Sequence, residues 1–190
     1  MYSMTLNNFI DIAGKEGVKT ALSNFYCFVK GYPSTIAVQN FFRNEAYSNN
    51  AQDYSRTHVC FDDDAQLVGL YTLKVKDYEV TAPSSNTEGK RYGIHNRKVE
   101  TFLIAQLAKT QDQGLHTDVT GEEILKDACS NLKLAYQIIG STRSIAVEYA
   151  NDPKLIDFYE GFGFHYIQDH PVTHNRLALY DFRSISDSDE

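Results

Sequence analysis

The run "EYANDPKLIDFYEGFGF" (Glu148 to Phe164) places an amide, Asn151, ahead of a capped turn, and a phenol, Tyr159, one helical step after Phe158. A phenol suits protonation of a departing thiolate, because the ordinary pKa values of the two groups, about 10 and about 8.5, are close. Transfer of an acyl group from a thioester to an amine needs such a donor: the amine attacks, a tetrahedral intermediate forms, and the sulfur leaves. Backbone N–H groups left unpaired where neighbouring strands splay would polarise the thioester carbonyl. Glu148 and Glu100 are the carboxylates placed to act as a base toward the amine, although a strand carboxylate is more often simply solvated. Tyr159 also has a plainer reading, since Leu155, Phe158, Tyr159 and Phe162 together make the inner face of a short helix.

The second constellation is the junction between "LIAQLAK" (Leu103 to Lys109) and the helix that "TGEEIL" (Thr120 to Leu125) opens. A helix N-terminus offers unpaired N–H groups and a partial positive charge to phosphate oxygens. Gly121 has no Cβ to hold a ligand away. Glu122 and Glu123 oppose an anion there, and Lys109 or His116 would offset them. Strand ends after Ala108 and after Ala150 would border a crevice of the kind that holds ligands in open α/β sheets, with Asn151 at its mouth.

These residues need a scaffold. "STIAVQNFFRNEAYS" (Ser34 to Ser48) spaces Val38, Phe41, Phe42 and Ala46 as a helix behind a Ser/Thr cap. "SRTHVCF" (Ser55 to Phe61) and "QLVGLYTLKVKDYEV" (Gln66 to Val80) predict an antiparallel hairpin. The "DDDA" between them reads as a solvated turn rather than a metal site. Thr81 to Lys98 reads as a loop, and Val99 to Lys109 as a central strand. Thr120 and Glu123 form a capping box ahead of an apolar stripe of Ile124, Leu125, Ala128, Leu132, Ala135 and Ile139, stopped by Gly140. Arg143 to Ala150 is a buried strand, and Asp152 and Pro153 open the next helix. "FHYIQD" and "RLALYDF" close the chain as strands, before a frayed acidic tail over 184–190. Residues 1–33 form an N-terminal helical region with no clear pattern. Alternating strands and helices after a hairpin predict an α/β protein with a mixed sheet.

Composition narrows the classes. A chain of 190 residues, 42% hydrophobic, is the size of one domain. The net charge of −7 argues against a generally nucleic-acid-binding surface, although Lys90, Arg91, Arg97 and Lys98 cluster against Glu88 alone. No apolar run nears the ~18 residues of a membrane span, and the N-terminus does not read as a secretory signal, so a cytoplasmic protein is expected. Cys27, Cys60 and Cys129 have no metal-ligand spacing and read as reduced thiols.

The order of these elements, and above all "ANDPKLIDFYEGFGF", resembles the GNAT superfamily of N-acetyltransferases over roughly Ser34 to Phe182. The family's phosphate loop is an Arg or Gln, two residues, Gly, one residue, then Gly or Ala before a helix with a Leu pair. With Gly121 last, Ile124 and Leu125 follow at the expected spacing, and His116 and Val119 stand where Arg or Gln and Gly would be. A second register uses Gln111 and Gly114, with His116 at the final small position and an insertion before the helix.

The resemblance implies one α/β domain over 1–190: a mixed, mostly antiparallel sheet with a central splayed parallel pair and flanking helices. It implies acetyl-CoA as the donor substrate, no metal, and an unidentified primary amine as acceptor. Val119, Thr120 and Gly121 would take the pyrophosphate, with Lys109 and His116 beside it. Leu107, Ala108 and Asn151 would hold the pantetheine arm. Tyr159 would be the general acid and Glu148 the base. Homodimers are common in the family. "NFFRNEA" and "SRTHVCFDDDAQLVGLYTL" also resemble GNAT toxins that acetylate aminoacyl-tRNA, with Leu70 in place of the first of two tyrosines and no glycine after the cysteine of "FYCF". The acidic charge disfavours tRNA, for which only the Lys90–Lys98 loop would supply cations. The irregular phosphate loop also admits a catalytically decayed acyl-CoA-binding module.

Overall fold

The computed structural model describes residues 1–81, 86–112, 114–140 and 142–184. The elements run β1 (Tyr2–Thr5), α1 (Leu6–Asn24), α2 (Ser34–Asn44), α3 (Ala46–Ala51), β2 (Arg56–Phe61), β3 (Leu67–Glu79), α4 (Asn86–Tyr92), β4 (Lys98–Lys109), α5 (Gly121–Ile139), β5 (Ser144–Tyr149), α6 (Pro153–Phe162), β6 (His165–Asp169) and β7 (Arg176–Asp181). The strands form one seven-stranded sheet in the order β1-β2-β3-β4-β5-β7-β6. β1–β2, β2–β3, β5–β7 and β6–β7 pair antiparallel, and β4–β5 pair parallel. The α/β class with a mixed sheet and one parallel pair is therefore as the sequence implied. The parallel register runs from Thr101–Ser144 to Ile104–Val147, and β4 continues to Lys109.

The chain divides into two compact units, Met1–Lys74 with Ala105–Ala128 and Val75–Ile104 with Cys129–Glu190. In the first, Leu6, Val18, Leu22, Phe42, Ala46, Val59 and Leu70 are sealed in one apolar cluster. The weakly patterned N-terminus supplies much of it. Thr5 caps α1 by accepting from the Asn8 N–H at 3.2 Å, and Gly14 breaks the helix at φ 71°. The Ser/Thr cap expected on α2 is not made; the Thr35 hydroxyl instead donates to the Tyr32 carbonyl at 2.7 Å and accepts from the Val29 N–H. The acidic turn after β2 is held by Asp62, whose Oδ1 accepts from the N–H groups of Asp64 and Gln66. Gly69 sets how closely α5 lies on β3. A Cβ there would sit 2.4 Å from Ile124 Cδ1 and 3.1 Å from the Ala108 carbonyl oxygen.

In the second unit β5 and β7 form the floor, with Ile145, Ala146, Val147, Leu177, Ala178 and Leu179 buried. Asp152 caps α6 by accepting from the Lys154 N–H at 2.9 Å, Pro153 opens it, and Gly163 closes it at φ 114° with the Phe164 N–H donating to the Tyr159 carbonyl. The segment expected to be a loop, Thr81 to Lys98, contains α4; residues 82–85 lie outside the described residues. Burial explains the helix: Tyr92 is 1% exposed, and its carbonyl accepts from Ser144 Oγ at 2.8 Å. Seven residues are too few for that anchoring to register as a period in the sequence. Beyond Ser184 the acidic tail also lies outside the described residues. All three cysteines are buried thiols.

Candidate functional site

In the second unit the site is built on α6. The Tyr159 ring is half-buried, stacked on Tyr149 with centroids 4.7 Å apart and in edge contact with Phe158 at 5.0 Å and Phe164 at 5.8 Å. Its hydroxyl has no hydrogen-bond partner among the described residues. Burial, with smaller contributions from Tyr149 and Cys129, raises its proton affinity above that of an ordinary phenol. The resting group is a protonated, unengaged phenol, and its raised affinity sets it further from the thiol range than an open phenol, so it yields its proton less readily. Asn151 is exposed immediately before the Asp152 cap.

Strand alternation sends Glu148 to the opposite face of β5 from Tyr149. Glu148 Oε1 accepts from Lys76 Nζ and from the Tyr78 hydroxyl, each at 2.5 Å. Burial alone would raise the carboxyl pKa, but the two hydrogen bonds and the charges of Lys76 and His170 outweigh it and bring the group below the ordinary range. Glu148 is therefore a firmly ionised carboxylate. Glu100 lies elsewhere: the parallel register aligns it with the start of β5, whereas Asn151 follows that strand's end. It lines a depression of about 390 Å³ with Gly93, His95, Lys98, Thr142 and Arg143.

The side chains of Lys90, Arg97, Lys98 and Arg143 have no carboxylate partner among the described residues, whereas Arg91 lies 3.7 Å from Asp181; of the four, Lys98 and Arg143 line the depression. Asn96 and Arg97 both sit in the left-handed region, at φ 51° and 62°, so the turn that presents Arg97 is strained for a non-glycine residue.

In the first unit the start of α5 shows what the expected phosphate loop looks like. The capping box forms in full: the Thr120 N–H donates to Glu123 Oε2 at 2.6 Å, and the Glu123 N–H donates to Thr120 Oγ1 at 3.1 Å. The Val119 N–H donates to Thr117 Oγ1 at 3.3 Å. Of the expected trio, only Gly121 keeps its N–H without a partner among the described residues; Glu122 does likewise. Hydrogen bonds from the Thr120 backbone, then from its hydroxyl, lower the Glu123 pKa, so a full negative charge stands at this end. A shallow depression of about 260 Å³ beside it is lined by Asp62, Asp63, Asp64, His116, Asp118 and Glu123, with the N-terminal ammonium 3.3 Å from Asp63. Leu107 and Lys109 are half-buried, and Ala108 belongs to the core.

Sequence reasoning passed over Lys76, Tyr78, Tyr149 and Arg176. Tyr149 had a readable signal, since alternation along "SIAVEY" puts it on one face with Ile145 and Val147; the others depend on strand register.

No protein-family model and no curated protein matches the chain. Solved structures do. AtaT complexed with acetyl-methionyl-tRNAfMet aligns at a TM-score of 0.65 and 19% identity, over 86% of this chain and 88% of that one. A tyrosine-to-phenylalanine mutant of KacT aligns at 0.64 and 21%, over 86% and 88%. AtaTR bound with AcCoA aligns at 0.60 and 20%, over 86% and 87%. The chain thus has the fold of these toxins, the GNAT fold.

Proposed function

We propose that this protein is an N-acetyltransferase that moves the acetyl group of acetyl-CoA to a primary amine. The observation that carries the reading is the Tyr159 hydroxyl: protonated, and without a hydrogen-bond partner among the described residues, on a packed ring. In the reaction the C–N bond forms as the C–S bond breaks, the amine loses a proton, and the sulfur takes the proton of Tyr159 and leaves as a thiol. The proton lost by the amine passes to solvent, and the Tyr159 phenolate takes one back from solvent. Leu107, Ala108 and Asn151 are proposed for the pantetheine arm and the loop from Val119 to Gly121 for the pyrophosphate, with Lys109 and His116 beside that loop. The free N–H groups of Gly121 and Glu122 are the donors best suited to phosphate oxygens. Glu148, paired with Lys76 and with its pKa lowered, is a weak base in this reading. Thiol release from acetyl-CoA, compared between wild type and Tyr159→Phe across a panel of amines, tests the proposal; equal rates in the two proteins would remove the acid role.

A second reading gives the acceptor as the aminoacyl group of a charged tRNA. What favours it is the set of four cations without a carboxylate partner among the described residues, Lys90, Arg97, Lys98 and Arg143, in a chain of net charge −7. AtaT, which shares the fold, was solved with acetyl-methionyl-tRNAfMet. Acetylation of charged tRNA that weakens steeply with salt supports this reading; no tRNA product, with small amines acetylated, rejects it. Tight CoA binding without turnover of any acceptor would leave the decayed binding module.

A further inference from the structure

Behind Tyr159 the second unit carries a polar network that the proposed reaction leaves unassigned. Tyr149 is 4% exposed, and its ring lies against the Tyr159 ring at 4.7 Å with an interplanar angle of 28°. Its hydroxyl donates to Glu160 Oε1 at 3.4 Å, and Arg176 Nη2 donates to the same oxygen at 2.8 Å. Arg176 is the cross-strand partner of Tyr149 in the β5–β7 register, and its guanidinium lies 4.0 Å over the Tyr166 ring. Glu160 directly follows Tyr159 on α6. One strand pair therefore grips the helix twice, by a ring under Tyr159 and by an ion pair at the next residue.

An aliphatic side chain at 149 would fill a core position and supply neither contact. A tyrosine at that depth brings a hydroxyl that must find a partner, and here the partners are a helix carboxylate and a guanidinium on the neighbouring strand. We propose that Tyr149, held by Glu160 and Arg176, is a positioning residue for Tyr159: its ring fixes the plane of the Tyr159 phenol, and the Arg176–Glu160 pair fixes the rotation of α6 that aims the hydroxyl. The proposal rests on the general-acid reading of Tyr159 for its catalytic consequence, but the coupling of the two rings is measurable without catalysis. Burial against Tyr149 contributes to the raised proton affinity of Tyr159, so loosening the stack should let that affinity relax.

The test compares Tyr149→Leu, Tyr149→Phe and Glu160→Gln in the full chain. Tyr149→Leu removes the ring support and should lower kcat about tenfold or more while KM for acetyl-CoA stays within about twofold, since a misaimed group costs rate rather than binding. Tyr149→Phe keeps the stack and should recover most of that loss; Glu160→Gln, at a partly exposed position, should lie between the two. In parallel, the Tyr159 phenol is titrated by NMR with labelled tyrosine, its signal assigned by its absence in Tyr159→Phe. In Tyr149→Leu the titration should move down toward the value of about 10 of an open phenol. Should Tyr149→Leu fail to fold, Tyr149→Phe and Glu160→Gln are read against each other: kcat loss in Glu160→Gln with a displaced Tyr159 titration supports positioning. Unchanged kcat and unchanged Tyr159 titration in every folded variant overturn it. Full activity of Tyr159→Phe, together with a Tyr159 titration that moves in Tyr149→Leu, rejects the acid role and keeps the coupling of the rings.

Discussion

α5 and α6 both begin with an acidic or hydroxyl cap, yet they dispose of their polar groups in opposite ways. At α5 the chain satisfies itself: Thr120 and Glu123 close on each other, Val119 is tied to Thr117, and five carboxylates rim the neighbouring depression. At α6 the cap is equally regular, but one turn later the Tyr159 hydroxyl is left with no partner among the described residues. A ligand arriving at α5 must compete with side chains already in place, or settle for the two free N–H groups of Gly121 and Glu122. A ligand arriving at Tyr159 displaces only water. The difference teaches that a sequence motif for anion binding and a sequence motif for helix capping draw on the same N–H groups, and only the hydrogen-bond pattern tells which use prevails.

That contrast can be broken at either end. Tyr159→Phe removes the α6 hydroxyl that has no partner among the described residues and should lower acetyl transfer by about tenfold to a hundredfold at nearly unchanged acetyl-CoA affinity, read by steady-state kinetics beside calorimetry. Gly69→Ala attacks the seat of α5: the added methyl meets Ile124 and the Ala108 carbonyl, and urea denaturation should show a loss of about 1–3 kcal/mol. Glu123→Gln should sharpen the comparison, because it withdraws a full charge from the helix end while keeping an acceptor for the Thr120 N–H. Acetyl-CoA affinity is expected to rise roughly twofold to fivefold at low salt, an advantage that fades as salt is added.

The smallest expected effect is on pH dependence in the first unit. Burial lowers the pKa of His58, partly offset by the charge of Asp127, in a pocket that also holds Tyr71 and Cys60. The folded imidazole refuses a proton that the unfolded chain accepts below about 6.5, so stability falls as pH drops below about 7 and is level above it. Glu148, with its lowered pKa, adds acid sensitivity that begins as pH falls into the ordinary carboxylate range and continues below it. Melting temperature against pH should show this slope in wild type and a flatter one in His58→Gln.

Much of the second unit was legible because its signals are local. The Asp152–Pro153 start and the buried strand over Arg143 to Ala150 each need only a few neighbours to be read. The Thr120–Glu123 box was legible too, but its consequence was not, since a cap that forms fully consumes the donors that a phosphate would use. α1 was hidden for a different reason. Gly14 splits its apolar positions into two short sets, and their common face exists only once Phe42 and Val59 lie against Leu6, Val18 and Leu22. The cationic depression had half its residues in view along Lys90–Lys98. Arg143 joins them only through the pairing of β4 with β5, a long-range fact that sequence spacing does not carry.

The three sulfhydryls give the molecule a built-in reporter. Cys27 and Cys60 belong to the first unit and Cys129 to the second, all shielded, with the Cys27 group pushed up to about 11 by its desolvated setting. An alkylating reagent therefore finds almost no reactive anion until the surrounding structure opens. Mass spectrometry of which sulfur is modified first, under mild denaturant, would say which half of the chain gives way before the other.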